Sequence, residues 1–232
     1  MNSLPNGYKA IVLGATGAIG GAFIKALSDD PACDTVIGLS RRGDPPLDIT
    51  NEASIAATAD ALLPFAPFHL IIDATGALQI EGDGPEKRID DLRADKLMRA
   101  FEINAIGPAL VMKHFAALLP MSSRCFFAKL SARVGSITDN RKGGWYGYRA
   151  SKAALNMLMR TAAIEVARKR PEAILVALQP GTVRSKLTRP FVAAEHASDP
   201  DKAVAGLLTA MDKLAPQREA VFIDYRGEPI PW

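Results

Sequence analysis

The sequence predicts an α/β fold with a parallel sheet covered by helices on both faces. Three observations lead there. Short continuous apolar runs recur along the chain, longer helical stretches separate them, and the first run leads straight into a glycine-rich turn. Residues 9–13 read as a buried strand and residues 19–28 as the helix after it. A second strand is expected at 35–40 and a third at 70–74. Residues 94–118 are helical in pattern, 125–130 a strand, 148–169 a helix, 174–178 a strand, 201–214 a helix and 220–224 a last strand. No internal repeat or linker interrupts this alternation. Residues 1–232 are therefore expected to form a single domain of the doubly wound, Rossmann type, with a parallel sheet of about seven strands.

Composition narrows the class. The chain has 232 residues, 48% hydrophobic and 23% charged, a globular balance that argues against disorder. The formal net charge is +3 and the basic residues are scattered, whereas nucleic-acid binding needs a clustered basic face. Cys33 and Cys125 have no metal-ligand spacing, and His69, His114 and His196 stand alone, so no metal site is expected. No apolar run reaches membrane-spanning length, and the first ten residues lack the layout of a signal peptide. A soluble cytoplasmic protein is expected.

The glycine turn reads Gly14-Ala15-Thr16-Gly17-Ala18-Ile19-Gly20. Gly14 permits a tight turn off the strand, Gly17 lets backbone approach a pyrophosphate, and Gly20 lets the helix pack against the sheet. The helix N-terminus would then aim its free N–H groups at phosphate. This context, strand before and helix after, marks a dinucleotide site. The second strand chooses the dinucleotide. An NAD site places an acid at that strand's C-terminal end; here the end reads Leu39-Ser40-Arg41-Arg42, and Asp34 lies at the opposite end. A missing carboxylate with a guanidinium nearby suits a 2′-phosphate, so NADP(H) is expected, with Ser40 and Arg41 holding the phosphate.

Tyr148 and Lys152 are spaced to share one helix face. A phenol is a poor base at neutral pH unless an ammonium lowers its pKa, which Lys152 is expected to do. Tyr148 would give a proton to a carbonyl in reduction and take one in oxidation. Pro108 lies four residues after Asn104 and has no N–H, so the Asn104 carbonyl loses its helical partner and is open to water.

At Tyr148-Arg149-Ala150-Ser151-Lys152 the chain resembles the short-chain dehydrogenase/reductase family, and the resemblance covers nearly the whole sequence. The glycine turn matches the family's first motif, with Ala18 in place of its usual middle glycine. The resemblance implies that Asp48 touches the adenine ring. It puts Asp73-Ala74-Thr75-Gly76 where the family has Asn-Asn-Ala-Gly, so that Ala74, Thr75 and Gly76 border the cofactor. It gives Lys152 the nicotinamide ribose and Asn104 a proton-relay water. It also assigns the nicotinamide amide to the segment with Pro180, Gly181, Val183 and Ser185. Residues 131–155 and the ending Pro229-Ile230-Pro231-Trp232 look most like the branch of sniffer-type carbonyl reductases and C-signal-like proteins. One element departs. Where the family reads Ile-Ser-Ser, this chain reads Leu130-Ser131-Ala132, which puts Ala132 in the place of the serine that polarises the substrate. Ser131, at the strand end, is the preferred substitute and Ser136 the alternative.

The expected reaction is interconversion of an aldehyde or ketone and its alcohol, with NADP(H) as hydride carrier. Residues 187–200 are expected to form a mobile lid, and Trp145, Tyr146 and Phe191 are candidates for the pocket wall. The alternative is a non-catalytic NADP-binding sensor or signalling protein. Helix residues Phe101, Ile103, Ala105, Ile106, Leu110, Val111, Phe115 and Leu118 are apolar round most of the circumference, as are Ala153, Ala154, Leu155, Met157, Leu158, Ala162 and Ile164. Such helices need cover on both sides, so a homodimer or homotetramer is expected.

Overall fold

Strand β1 (Tyr8–Leu13) lies one place in from the edge of a six-stranded parallel sheet in a computed structural model that describes residues 1–185 and 187–232. The strands β2 (Cys33–Leu39), β3 (Leu70–Asp73), β4 (Cys125–Leu130), β5 (Ala173–Gln179) and β6 (Val221–Asp224) complete it, in the order β2-β1-β3-β4-β5-β6. A parallel sheet needs crossovers, and helices α1 (Ala18–Ser28), α2 (Glu52–Leu62), α3 (Ala94–Phe101), α4 (Gly107–Phe115), α5 (Tyr146–Lys169) and α6 (Pro200–Asp212) supply them.

Alternation along the strands divides the core in two. Ala10, Val12, Leu70, Ile72, Phe126, Ala128 and Val176 face α1 and α6, where Phe23, Leu27, Leu207 and Met211 meet them. Ile11, Leu13, Ile71, Phe127, Leu175 and Ala177 face the other way, against Ile55 of α2, Phe115 of α4 and Leu155 and Met159 of α5. Each large side chain so buried contributes about 1.5–3 kcal/mol.

The sheet has six strands rather than about seven. A further strand beside β2 is reduced to one parallel bridge, Ser40 to Pro46, closed by the Leu47 N–H on the Ser40 carbonyl. Pro45 and Pro46 have no N–H to extend a ladder. Two helical expectations also change. Helix α2 was not anticipated: its buried face is Ile55, Thr58, Ala59 and Leu62, a weak apolar stripe, although Asn51 caps it through the Ala53 and Ser54 N–H groups. The stretch expected as one helix over 94–118 is broken. Between α3 and α4 lies a π-type turn (Glu102–Ile106), in which the Gly107 N–H reaches back to the Glu102 carbonyl. Pro108, without an N–H and with a ring that crowds the carbonyl four residues back, accounts for the widening.

Candidate active site

The turn after β1 is built by two glycines. Gly14 has φ +79°, a left-handed value that favours glycine. At Gly20 a Cβ would lie 2.1 Å from the Gly14 carbonyl oxygen, so α1 could not start this close to the strand with any other residue. No side chain caps α1, whose preceding residue is Gly17, and its first N–H groups remain available to an anion.

From this turn a cleft of about 340 Å³ runs along the strand ends, lined by Gly14, Thr16, Gly17, Ser40, Arg41, Asp48 and the 74–77 loop. Asp34 sits near the far, N-terminal end of β2. The Asp48 carboxylate accepts the Thr50 N–H and hydroxyl at 2.9 and 2.8 Å. Those bonds, helped by Arg41 and Arg99, hold its pKa below the usual carboxylate range. Arg99, which enters this cleft from α3, was missed by sequence reasoning, because nothing in a helical stretch marks an arginine as facing a cleft distant in sequence. An uncapped helix start, a glycine cradle that a Cβ would fill and guanidiniums beside β2 fit a dinucleotide phosphate. Ala18 and Gly20 shape this turn without lining the cleft.

The neighbouring cavity, about 230 Å³, holds the candidate catalytic groups. Ala74, Thr75 and Gly76 line both spaces, so the two adjoin along that loop. Ile19, Ser131, Ala132, Tyr148, Lys152, Pro180, Gly181, Val183 and Ser185 border the cavity. Lys152, nearly fully buried, donates to the Leu130 carbonyl at 3.0 Å, and its Nζ lies 5.8 Å from the centre of the Tyr148 ring. Burial pushes the Tyr148 phenol up to about 12. The expected lowering by Lys152 is not seen, for a physical reason. Lys152 is itself pushed down to about 7, first by burial and then by the charge of Lys129, with Asp73 opposing.

Lys129 was also missed, although a lysine inside the otherwise apolar run of β4 was a visible signal. It is paired with Asp73 across the strands, Nζ to Oδ1 at 2.9 Å, and both are shut off from solvent. It also donates to the Thr75 carbonyl at 2.7 Å and hydroxyl at 3.0 Å. The aspartate that departs from the family's asparagine thus has a matching cation.

Asn104 is fully buried in the π-type turn. Its side chain clamps the loop before it: Nδ2 donates to the Ala77 carbonyl at 2.8 Å, and Oδ1 accepts the Ala77 N–H at 2.9 Å. Ser131 borders the cavity, yet its hydroxyl donates to Asn156 Oδ1 at 2.6 Å, which commits its one proton to α5. Ser136 is outside this cavity and accepts the Asp139 N–H at 3.0 Å. Trp145 and Phe191 form part of the cavity wall, stacked edge-on at 5.8 Å, while Tyr146 borders a different depression. Leu187, Thr188, Phe191 and Val192 of the expected lid cover the cavity. The base of that segment is tied by a bridge between Val183 and Ser198. Among the described residues no cluster of His, Cys, Asp and Glu could hold a metal, and no helix is long and apolar enough to cross a membrane.

Residues 34–212 match a family model described as enoyl-(acyl carrier protein) reductase. The chain belongs to the short-chain dehydrogenase/reductase family, whose members use a nicotinamide dinucleotide. It is 35% identical to C-signal of Myxococcus xanthus over 145 residues, 62% of this chain and 83% of that protein. It is 28% identical to 1-hydroxy-2-glutathionyl-2-methyl-3-butene dehydrogenase of Rhodococcus sp. (strain AD45) over 190 residues, 82% of this chain and 80% of that protein. The NADPH-bound carbonyl reductase from chicken fatty liver superposes with a TM-score of 0.84 at 25% identity, over 99% of this chain and 100% of the other.

Proposed function

We propose that this protein is an NADP(H)-dependent oxidoreductase that interconverts an aldehyde or ketone and the corresponding alcohol. The observation that carries this reading is that the two spaces share the wall Ala74, Thr75 and Gly76, with Arg41 lining the one and Tyr148 and Lys152 the other. The NADPH in the chicken carbonyl reductase structure and the missing acid after β2 both favour the phosphorylated dinucleotide.

Gly14, Thr16 and Gly17 would hold the pyrophosphate, Ser40 and Arg41 the 2′-phosphate, and Asp48 the adenine side. The segment with Pro180, Gly181, Val183 and Ser185 would border the nicotinamide. When bound, NADPH supplies hydride. Tyr148 gives the proton: burial keeps its phenol protonated at neutral pH, the form that reduction requires. Lys152 holds the ribose and restores the proton, and the backbone of Asn104 positions water for that relay. Phe191 and its neighbours in the lid keep bulk water out. A panel of aldehydes, ketones and quinones with NADPH, followed by loss of absorbance, tests the reading, and absence of turnover across the panel would overturn it.

A second reading is a non-catalytic NADP-binding signalling protein. Ala132, without a hydroxyl at the place of the polarising serine, favours it. Tight NADPH binding with no turnover would select it.

A further inference from the structure

A carbonyl reduced in this cavity needs a hydrogen-bond donor for its oxygen besides Tyr148, and the expected donors are spent. Ala132 has none. Ser131 gives its proton to Asn156, and Ser136 is outside the cavity. Ser185 and Thr188 bond each other, and the Thr188 hydroxyl also turns to the Val183 carbonyl.

Gln179 remains. It is the last residue of β5 and borders the cavity. Strand alternation puts it on the face of Leu175 and Ala177, the face that α5 covers with Leu155 and Met159, and Tyr148 and Lys152 of α5 border the same cavity. Its Oε1 accepts the Arg133 N–H at 3.2 Å, which fixes the side chain beside the residue that follows Ala132. A backbone N–H must meet the oxygen, so the amide orientation is determined and Nε2 faces away from Arg133. Nε2 has no partner among the described residues, and it is not a buried orphan.

We infer that Gln179 is the catalytic hydrogen-bond donor to the substrate carbonyl, replacing through Nε2 the hydroxyl that Ala132 lacks. The inference rests on the carbonyl-reduction reading above. Gln179 loses no proton in the step. In reduction the carbonyl π bond would break, bound NADPH would supply hydride to its carbon, its oxygen would take the Tyr148 proton, and the hydrogen bond from Gln179 Nε2 to that oxygen would strengthen.

The test compares Gln179→Leu, Gln179→Glu, Ser131→Ala and the double variant Gln179→Leu/Ala132→Ser. Each is assayed with NADPH and benzaldehyde, cyclohexanone and phenanthrenequinone, with melting temperature and NADPH dissociation constant measured alongside. Gln179→Leu should lower kcat by about a hundredfold, with the NADPH dissociation constant unchanged. Gln179→Glu keeps an acceptor for Arg133 but no donor, and should lose as much. Ser131→Ala should lose far less. Adding Ala132→Ser to Gln179→Leu should restore roughly tenfold or more. Wild-type kcat in Gln179→Leu or Gln179→Glu would overturn the inference while leaving the reductase reading intact. If Gln179→Leu fails to fold, the Gln179→Glu comparison decides. Absence of wild-type turnover with every substrate would overturn both.

Discussion

Lys129 and Asp73 stand opposite each other in adjacent strands, 2.9 Å apart, with almost no solvent on either. Asp73 also accepts the Thr75 N–H at 2.9 Å and the Thr75 hydroxyl at 2.5 Å. The pair therefore ties β3, β4 and the first turn of the 74–77 loop into one knot beneath the cavity. Removing one partner strands the other charge, so Lys129→Met should destabilise the fold by about 3–5 kcal/mol in urea. Lys129→Met/Asp73→Asn should recover most of that loss. A double variant no more stable than the single one would refute the coupling.

Lys152 makes stability depend on pH. Its folded pKa is lowered from 10.5 to about 7, so between those values the unfolded chain binds a proton that the folded chain does not. This contribution to stability rises with pH across that window. Lys152→Met should melt above wild type at pH 7, and the difference should shrink toward pH 10. A difference constant across that range would contradict the assignment.

Cofactor choice should follow the end of β2. Fluorescence titration is expected to give tighter binding of NADPH than NADH. Arg41→Asp should weaken NADPH and narrow the preference, since it removes a guanidinium and restores an acid. Tighter wild-type binding of NADH would defeat the proposal.

Tyr148→Phe should abolish turnover and leave NADPH binding nearly unchanged, because ring packing against Trp145 is kept and only the proton donor goes. Lys152→Ala should damage both. Wild-type turnover in the phenylalanine variant would remove Tyr148 from its role.

Assembly is expected to be at least dimeric. Met98, Ile106, Met157, Leu158 and Ile164 on α3, α5 and the turn between α3 and α4 are exposed, although the sheet covers the other side of α5. Light scattering at micromolar concentration should give a dimer or tetramer mass, and Met157→Glu should shift it toward monomer. A monomeric wild type would end this proposal.

All six strands were legible within one or two residues, because buried parallel strands are largely apolar, Lys129 in β4 and the half-exposed β2 aside. The turn at Gly14–Gly20 and the Tyr148–Lys152 spacing were legible for a similar reason: local geometry dictates them. Helix α2 was not, since Thr58 and Ala59 give too weak a stripe. Gln179 and Arg99 gain meaning only from neighbours distant in sequence. Ser131 sits where strand-end reasoning puts it, but the direction of its hydroxyl depends on Asn156, twenty-five residues away. Lys129 was a signal left unread.

The segment over the cavity closes on itself at its base. The Ser198 N–H meets the Thr182 carbonyl at 2.8 Å, and the Arg184 N–H meets the Ser198 carbonyl at 2.9 Å. A loop anchored this way is a replaceable cassette. Chains of other length and polarity exchanged between positions 184 and 198 would inherit the same two anchor points, leaving β5 and α6 undisturbed. Substrate range can then be rewritten without renegotiating the stability of the sheet, and an unchanged melting temperature across such chimeras would be its signature.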